Sequence, residues 1–343
     1  MLHRALASLC LPLAFGACVD SFSEGSFAVG VDPAEPCPES ECPKNSARVA
    51  SLKFHELDLS GVHANDAGMR VISFKTSWDR DLKIVGDEVR DTDGNVLAPG
   101  RLIGSRLRLT SSIGDYDIII QGVDTTDYWV SQNTTNAHLY TLTYVNVNNT
   151  ADKGDVCPSP WTSNDPDADG VQQGTAFLFT GDRYDMAAKT VIEPPFDGQW
   201  FNVACSGLAM AKLHLLRHTD AGKDATHITT NVQRQSMLKM LTDDICGTGF
   251  SFTVDGESVY YMDKAGWHPF SWQEVGKVEA IWNEKGAVCL ETPRREKEEP
   301  GIRERIKKEC GNKLPDPCGA KVASWRDHGL GITANPSDSA PGQ

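Results

Sequence analysis

The chain has 343 residues, which is long enough for two domains. Its 40% hydrophobic and 23% charged residues are typical of a globular protein. Its formal net charge of −14 argues against a nucleic-acid binder, because phosphate binding requires a clustered basic surface. The same charge disfavours direct adsorption to an anionic membrane surface.

Residues 1–17 are typical of a bacterial signal peptide, because a positive start precedes an apolar run that is shorter than the roughly 20 residues needed to span a bilayer. The run ends in Ala14-Phe15-Gly16-Ala17-Cys18, which resembles a lipobox, the signature of bacterial lipoproteins. We therefore predict cleavage before Cys18 and lipidation of its sulfur. Ordinary cleavage after Gly16 is the alternative, and Phe15 stands where an aliphatic residue is usual.

Cysteine parity supports the lipoprotein prediction. Loss of the signal peptide and lipidation of Cys18 leave eight cysteines, an even set that suits four disulfides in an exported protein. None of them forms the close Cys-x-x-Cys pair of a zinc site. The eight are Cys37, Cys42, Cys157, Cys205, Cys246, Cys289, Cys310 and Cys318.

Composition divides the mature chain into four segments. Residues 18–46 form an acidic stretch that we predict to be a tether, in which Cys37 and Cys42 close a small loop. Residues 47–150 are predicted to form an antiparallel β domain, because segments such as His138–Val147 alternate with period two. Residues 151–292 form a second, mixed domain.

Residues 293–343 are predicted to be a charged tail with a disordered end. Arg294–Glu299 alternates in sign, which is typical of a solvated linker. Cys310 and Cys318 are predicted to close another small loop, and residues 331–343 are predicted to be disordered.

The mixed segment carries both helical and strand patterns. Its predicted elements are a strand at Thr175–Thr180, helices at Val203–His218 and Val232–Ile245, a hairpin at Phe250–Met262, a short helix at Val275–Trp282 and a strand holding Cys289.

Several spaced blocks of this segment, over roughly residues 155–292, resemble the ADYC-domain family of exported bacterial proteins. The family motif Ala-Asp-Tyr-Cys-Gly, followed by Ser-His-Thr-x-Asp-Gly, corresponds here to Asp243–Gly247 and the residues after it. The matching positions are Asp244, Cys246, Gly247, Ser251, Thr253, Asp255 and Gly256. Asp243, Ile245 and Phe252 depart from the motif. The family has no established activity, so the resemblance implies an architecture and an exported location.

The resemblance also implies a disulfide pairing. Family members commonly have two further cysteines, at the positions of Leu213 and Met237, which implies an antiparallel helix pair with these positions facing each other. Extending that register implies a Cys205–Cys246 bridge and leaves Cys157 to pair with Cys289. The predicted fold class is α+β: an N-terminal antiparallel β domain, then a disulfide-bonded α+β domain with an antiparallel helix pair and a β-hairpin.

Two weak metal motifs are present. His214 and His218 have the i, i+4 spacing of a helical ligand pair, although solvent-facing histidines near a helix C-terminus are the favoured interpretation. Asp165, Asp167 and Asp169 begin like a calcium loop, but the bidentate Glu of its twelfth position is missing, so a turn with incidental acids is favoured.

Three further features have a structural and a functional interpretation. Cys246 with His268 as base is a possible nucleophile, but a disulfide is favoured. Asp243 and Asp244 are predicted to be exposed acids at a helix end. Aromatic residues around Trp267 are predicted to pack in the core, with a binding platform for sugar or peptide as the alternative.

The sequence therefore predicts an exported, lipid-anchored envelope protein that faces the periplasm or the cell surface. Its predicted role is that of a non-catalytic structural or binding module without a cofactor. Its expected partners are the membrane, through the lipid, and an envelope protein or glycan, with no nucleic acid. The alternatives are a hydrolase that uses carboxylates or histidines and a calcium-stabilised binding module.

Overall fold

The computed structural model describes residues 46–130, 136–157, 174–222, 228–253, 260–264 and 275–336. These described residues form 18 strands and five α-helices, so the protein has an α+β composition in which strands predominate. All strand pairs among them are antiparallel.

In chain order the strands are β1 (Ala47–Val49), β2 (Leu52–Phe54), β3 (Glu56–Asp58), β4 (Arg70–Lys75), β5 (Leu82–Val85), β6 (Glu88–Asp91), β7 (Arg106–Ser111), β8 (Gly114–Asp127), β9 (Asn136–Asn146), β10 (Lys153–Asp155), β11 (Thr175–Phe179), β12 (Arg183–Asp185), β13 (Thr190–Ile192), β14 (Trp200–Cys205), β15 (Tyr260–Asp263), β16 (Val275–Asn283), β17 (Gly286–Leu290) and β18 (Gly331–Pro336). The helices are α1 (Pro99–Leu102), α2 (Ala209–Leu215), α3 (Asn231–Leu241), α4 (Ile302–Glu309) and α5 (Trp325–His328), and a 3₁₀ helix spans Gly319–Ser324.

An eight-stranded curled sheet, called here the large sheet, has the order β3-β14-β11-β9-β8-β7-β4, with β10 added beside β9. Asn65 links edge strand β3 to the residue before the other edge strand, β4, because its Nδ2 donates to the Glu56 carbonyl at 2.8 Å and its Oδ1 accepts from the Met69 amide at 3.0 Å. Strands from both predicted domains pair within this sheet, so the predicted boundary at residue 150 runs through it.

Alternating side chains of the large sheet form the main apolar core. The predicted strand at β9 is confirmed, and its alternation is visible at the centre, where Tyr140 and Leu142 are buried while Thr141 between them is exposed. The predicted strand at Thr175–Thr180 is also confirmed, as β11. Phe177 and Phe179 of this strand are fully buried in the same core.

A second sheet, called here the small sheet, has the order β15-β18-β16-β17. Two predictions are wrong in this region. Val275–Trp282 is not a helix but part of β16, and residues 331–336 are not disordered but form β18, which lies between β15 and β16. Trp282 is fully buried, and its Nε1 donates to the Thr333 hydroxyl at 2.8 Å.

The two predicted central helices are present but shorter than expected. Residues 203–205 belong to strand β14, so α2 begins only at Ala209. A capping box starts α3, in which the Thr230 side chain accepts from the Gln233 amide and the Gln233 side chain accepts from the Thr230 amide. Asp243, with a φ of +52°, lies just beyond the end of α3.

The predicted hairpin at Phe250–Met262 is wrong in its pairing. Residues 250–253 form no strand, and β15 pairs instead with β18. The proposed turn at Asp255 and Gly256 lies outside the described residues. In the part of the chain that the structure describes, no helix is long and apolar enough to cross a bilayer.

Candidate functional site

Six cysteines lie in three pairs at disulfide distance. The Cα–Cα distances are 5.4 Å for Cys157–Cys205, 5.1 Å for Cys246–Cys310 and 4.9 Å for Cys289–Cys318. These distances are within the usual range for protein disulfides.

The expected pairings of Cys205 with Cys246, Cys157 with Cys289 and Cys310 with Cys318 are therefore wrong. The helical register that implied the first bridge does not extend that far, because Cys205 ends strand β14 and Cys246 lies beyond the end of α3. Cys18, Cys37 and Cys42 lie outside the described residues.

Asp244, the aspartate of the family-like motif, is fully buried and ties the end of α3 to the following turn. Its Oδ2 lies 2.5 Å from Lys239 Nζ and accepts from the Gly249 amide at 2.9 Å. Lys239 Nζ also donates to the Ala188 carbonyl at 2.9 Å. The prediction that Asp243 and Asp244 are exposed is wrong, since they are 1% and 0% exposed.

Gly247 of the motif and Gly249, two residues after it, permit backbone contacts that no side chain would allow. At Gly247, with a φ of +70°, a Cβ would lie 1.8 Å from the Lys285 carbonyl oxygen. At Gly249, with a φ of +88°, it would lie 2.0 Å from the Ala187 carbonyl oxygen. The first contact places the motif against the turn between β16 and β17.

A buried ion pair joins the small sheet to the residues after β17. Arg294 Nε and Nη2 each donate at 2.8 Å to the Glu279 carboxylate, and Nη2 also donates to the Met240 carbonyl at 3.0 Å. Asp243 Oδ2 lies 3.6 Å from Arg294 Nε. The predicted solvated linker is wrong at this end, because Arg294 and Arg295 are only 7% and 5% exposed.

His214 lies in the core beneath the large sheet rather than facing solvent. Its ring stacks on Phe179 with centroids 4.7 Å apart, and its Nδ1 lies 3.0 Å from the Thr219 hydroxyl. Its Nε2 is 3.6 Å from Asp87 Oδ2, which also accepts from the Tyr128 hydroxyl at 2.6 Å. Burial alone would raise the pKa of Asp87, but His214 and Tyr128 outweigh it and lower that pKa.

His218 is also buried and contacts a different carboxylate. Its Nε2 lies 3.1 Å from Asp263 Oδ2, and the two residues line a cleft between α3 and the small sheet. The prediction that the two histidines face solvent is therefore wrong. Within the described ranges, no three His, Cys, Asp or Glu side chains are placed to hold a metal ion.

Asp58 organises the edge of the large sheet at β3. Burial alone would raise its pKa, but hydrogen bonds from Ser60, Gln199 and His63 lower that pKa to about 2. His63 Nδ1 lies 3.0 Å from Asp58 Oδ2, and its Nε2 lies 3.2 Å from the exposed Asp197 carboxylate. All of these contacts hold backbone segments together at one edge.

Several sequence candidates fall outside the described residues. They are Asp165, Asp167, Asp169, Asp255, Gly256, Trp267 and His268. The calcium-loop and aromatic-platform interpretations therefore stay predictions.

The fold and these clusters define a disulfide-bonded, mostly β protein whose short central helices are held by buried charges. The chain belongs to the ADYC domain family, whose model matches residues 99–296. Neither the curated proteins nor the solved structures include a match to the chain. The matched range ends before Cys310, Cys318 and strand β18, each of which pairs with a residue or strand inside it.

Proposed function

We propose that the protein is an exported cell-envelope lipoprotein whose mature part is a non-catalytic structural or binding module. Cys18 carries the lipid, and residues 18–46 are the tether between the membrane and the folded body. The body faces the periplasm or the cell surface, and α2 and α3 pack within it as an antiparallel pair. Its partner is an envelope protein or a glycan.

The observation that carries this proposal is the pairing of cysteines far apart in sequence. The three pairs are separated by 48, 64 and 29 residues. Disulfides of this kind form and persist in oxidising compartments such as the periplasm or the cell surface. With Cys18 lipidated and Cys10 removed, Cys37 and Cys42 remain as a fourth pair.

Support for a non-catalytic role comes from the polar groups in the described part of the chain. His214 and His218 are 0% and 2% exposed, and both contact buried protein groups. Asp244 and Glu279 are fully buried in ion pairs with Lys239 and Arg294. A general acid or base must come within hydrogen-bond reach of a substrate, and these side chains instead hold neighbouring segments together.

The test is the intact mass of the mature protein purified from a lipoprotein-processing bacterial host. The proposal predicts a chain that begins at Cys18, carries a diacylglycerol and lacks two hydrogens for each of four bridges. Cys18→Ser is the matched control, and it should be recovered without lipid in the soluble fraction. A wild-type chain that is unlipidated, or that retains free thiols, would refute the proposal.

A further inference from the structure

The cleft beside His218 combines side chains that suit a particular class of metal ion. It lies between α3, strand β15 and the start of β18. The residues that matter are His218, Asp263, Met237 and Met240, all of which line it. Each of them is buried, with 1–4% of its surface exposed, so the cleft reaches into the interior.

A carboxylate holds the His218 ring in its orientation. His218 Nε2 lies 3.1 Å from Asp263 Oδ2, which fixes the plane of the ring. In protein metal sites, one ring nitrogen of a ligating histidine binds the ion and the other donates to a carboxylate or carbonyl. The His218–Asp263 contact supplies the second half of that arrangement.

Two methionines line the same cleft. Met237 and Met240 are three residues apart on α3 and therefore lie on one face of the helix. Gly331 forms part of the opposite wall, where a Cβ would lie only 3.4 Å from Met240 Sδ. The Met240 sulfur therefore lies against the wall that Gly331 forms.

The lining selects among metal ions. Calcium and magnesium need several oxygen ligands, whereas the carboxylate here is already engaged by His218. Structural zinc sites use four His or Cys ligands, and no group of even three His, Cys, Asp or Glu side chains is placed to hold a metal in the described residues. Thioether and imidazole ligands together suit copper(I).

We propose that the cleft binds a monovalent soft metal ion, copper(I), through the Met237 and Met240 thioethers and the His218 imidazole. Asp263 is the positioning residue that orients the ring. The site does not depend on the lipid anchor. Failure of metal binding would therefore leave the proposed envelope function untouched, and the reverse also holds.

The test uses the full mature chain with its disulfides intact and any free thiols alkylated beforehand. Silver(I), which is not redox-active under these conditions, and copper(I) under anaerobic conditions are titrated with a competing chelator, and the melting temperature is followed. We expect saturable binding of one ion per chain with a rise in melting temperature. X-ray absorption of the copper-loaded protein should show two sulfur ligands and one nitrogen ligand.

Variants separate binding at the cleft from adventitious binding. Met237→Leu/Met240→Leu should abolish saturable binding, because leucine keeps the volume and removes the sulfur. Asp263→Asn should weaken the affinity by about 10- to 100-fold. Met210→Leu, at a fully buried α2 residue that does not line the cleft, is the matched control and should bind as wild type. Absence of saturable binding, or binding that survives in the folded double-leucine variant, would overturn the proposal.

Discussion

The large and small sheets are stabilised in different ways. The large sheet has eight strands and shares an extensive apolar core with α2 and α3, to which Cys157 and Cys205 add one bridge. The small sheet has four strands, contributes Tyr261, Trp282 and Leu290 to that same core, and has a separate apolar cluster of six buried residues, of which Cys289 and Cys318 are two. Small cores bury too little apolar surface to be stable alone, which explains the added crosslinks.

The family motif lies between the two sheets. Asp244 and Gly247 lie where α3 meets the turn of the small sheet, and Cys246 links that point to Cys310 beyond the helix α4. The motif therefore acts as a joint between the two sheets. If this view is correct, changes in the motif and the small sheet should cost more than equivalent changes on the surface.

The largest effect is expected at Gly247. Gly247→Ala should destabilise by more than about 4 kcal/mol or prevent folding, because the added Cβ would lie 1.8 Å from a backbone oxygen. Gly311→Ala is the matched control, since Gly311 has a φ of +69° but no neighbouring atom within 4 Å. It should cost only about 1–2 kcal/mol, the usual penalty of a left-handed conformation. Urea unfolding measures both, and similar losses would argue against the joint.

Removal of Arg294 should have the next largest effect. Arg294→Leu leaves Glu279 buried without its cation, and such a loss typically costs about 3–5 kcal/mol. Arg303→Leu, which breaks an ion pair with Glu296 that is 35–36% exposed, should cost less than about 1 kcal/mol. Thermal and urea denaturation of the two variants test this difference. Equal destabilisation would show that burial of the pair is unimportant.

The disulfide of the small sheet should be more local in its effect. Cys289→Ser/Cys318→Ser should lower stability by about 3–4 kcal/mol in the chain-entropy model. Hydrogen exchange should accelerate first in β16, β17 and β18, whereas Cys157→Ser/Cys205→Ser should act first on β11 and β14. Uniform acceleration across both sheets in either variant would mean that the two sheets unfold as one unit.

The smallest effect concerns Asp58 at the edge of the large sheet. Its folded-state pKa of about 2 is below the unfolded value, so its contribution to stability is complete above about pH 4 and is lost as the pH falls towards about 2. Asp58→Asn should remove this part of the pH dependence, whereas the exposed Asp66→Asn should retain it. Urea midpoints measured between these pH values provide the test, and an unchanged slope in Asp58→Asn would contradict the assignment.

Local pattern predicted the large sheet better than the small one. β9 was predicted correctly because its apolar residues alternate with polar ones, and β11 because it is a short run of apolar residues. β16 was mistaken for a helix because register shifts at Val278 and Ala280 disturb its period of two. In addition, residues 279–282 are all buried, so no alternation is visible there.

The candidate site was only partly accessible to sequence reasoning. The resemblance identified Asp244 and Cys246, but the partner of Cys246 lies 64 residues away on a segment without a matching motif. The Glu279–Arg294 pair was not predicted, because the sequence around these two charged residues does not indicate that either is buried. Strand β18 was missed because its pairing with β15 and β16 depends on tertiary contacts rather than on its own composition.

Peptide mapping of the folded mature protein, alkylated and digested without reduction, tests the central claim that Cys246 is a structural crosslink. We predict a peptide in which Cys246 is joined to Cys310 and no alkylation of either residue. Quantitative alkylation of Cys246 in the unreduced protein would contradict the account and would identify this cysteine as a reactive thiol.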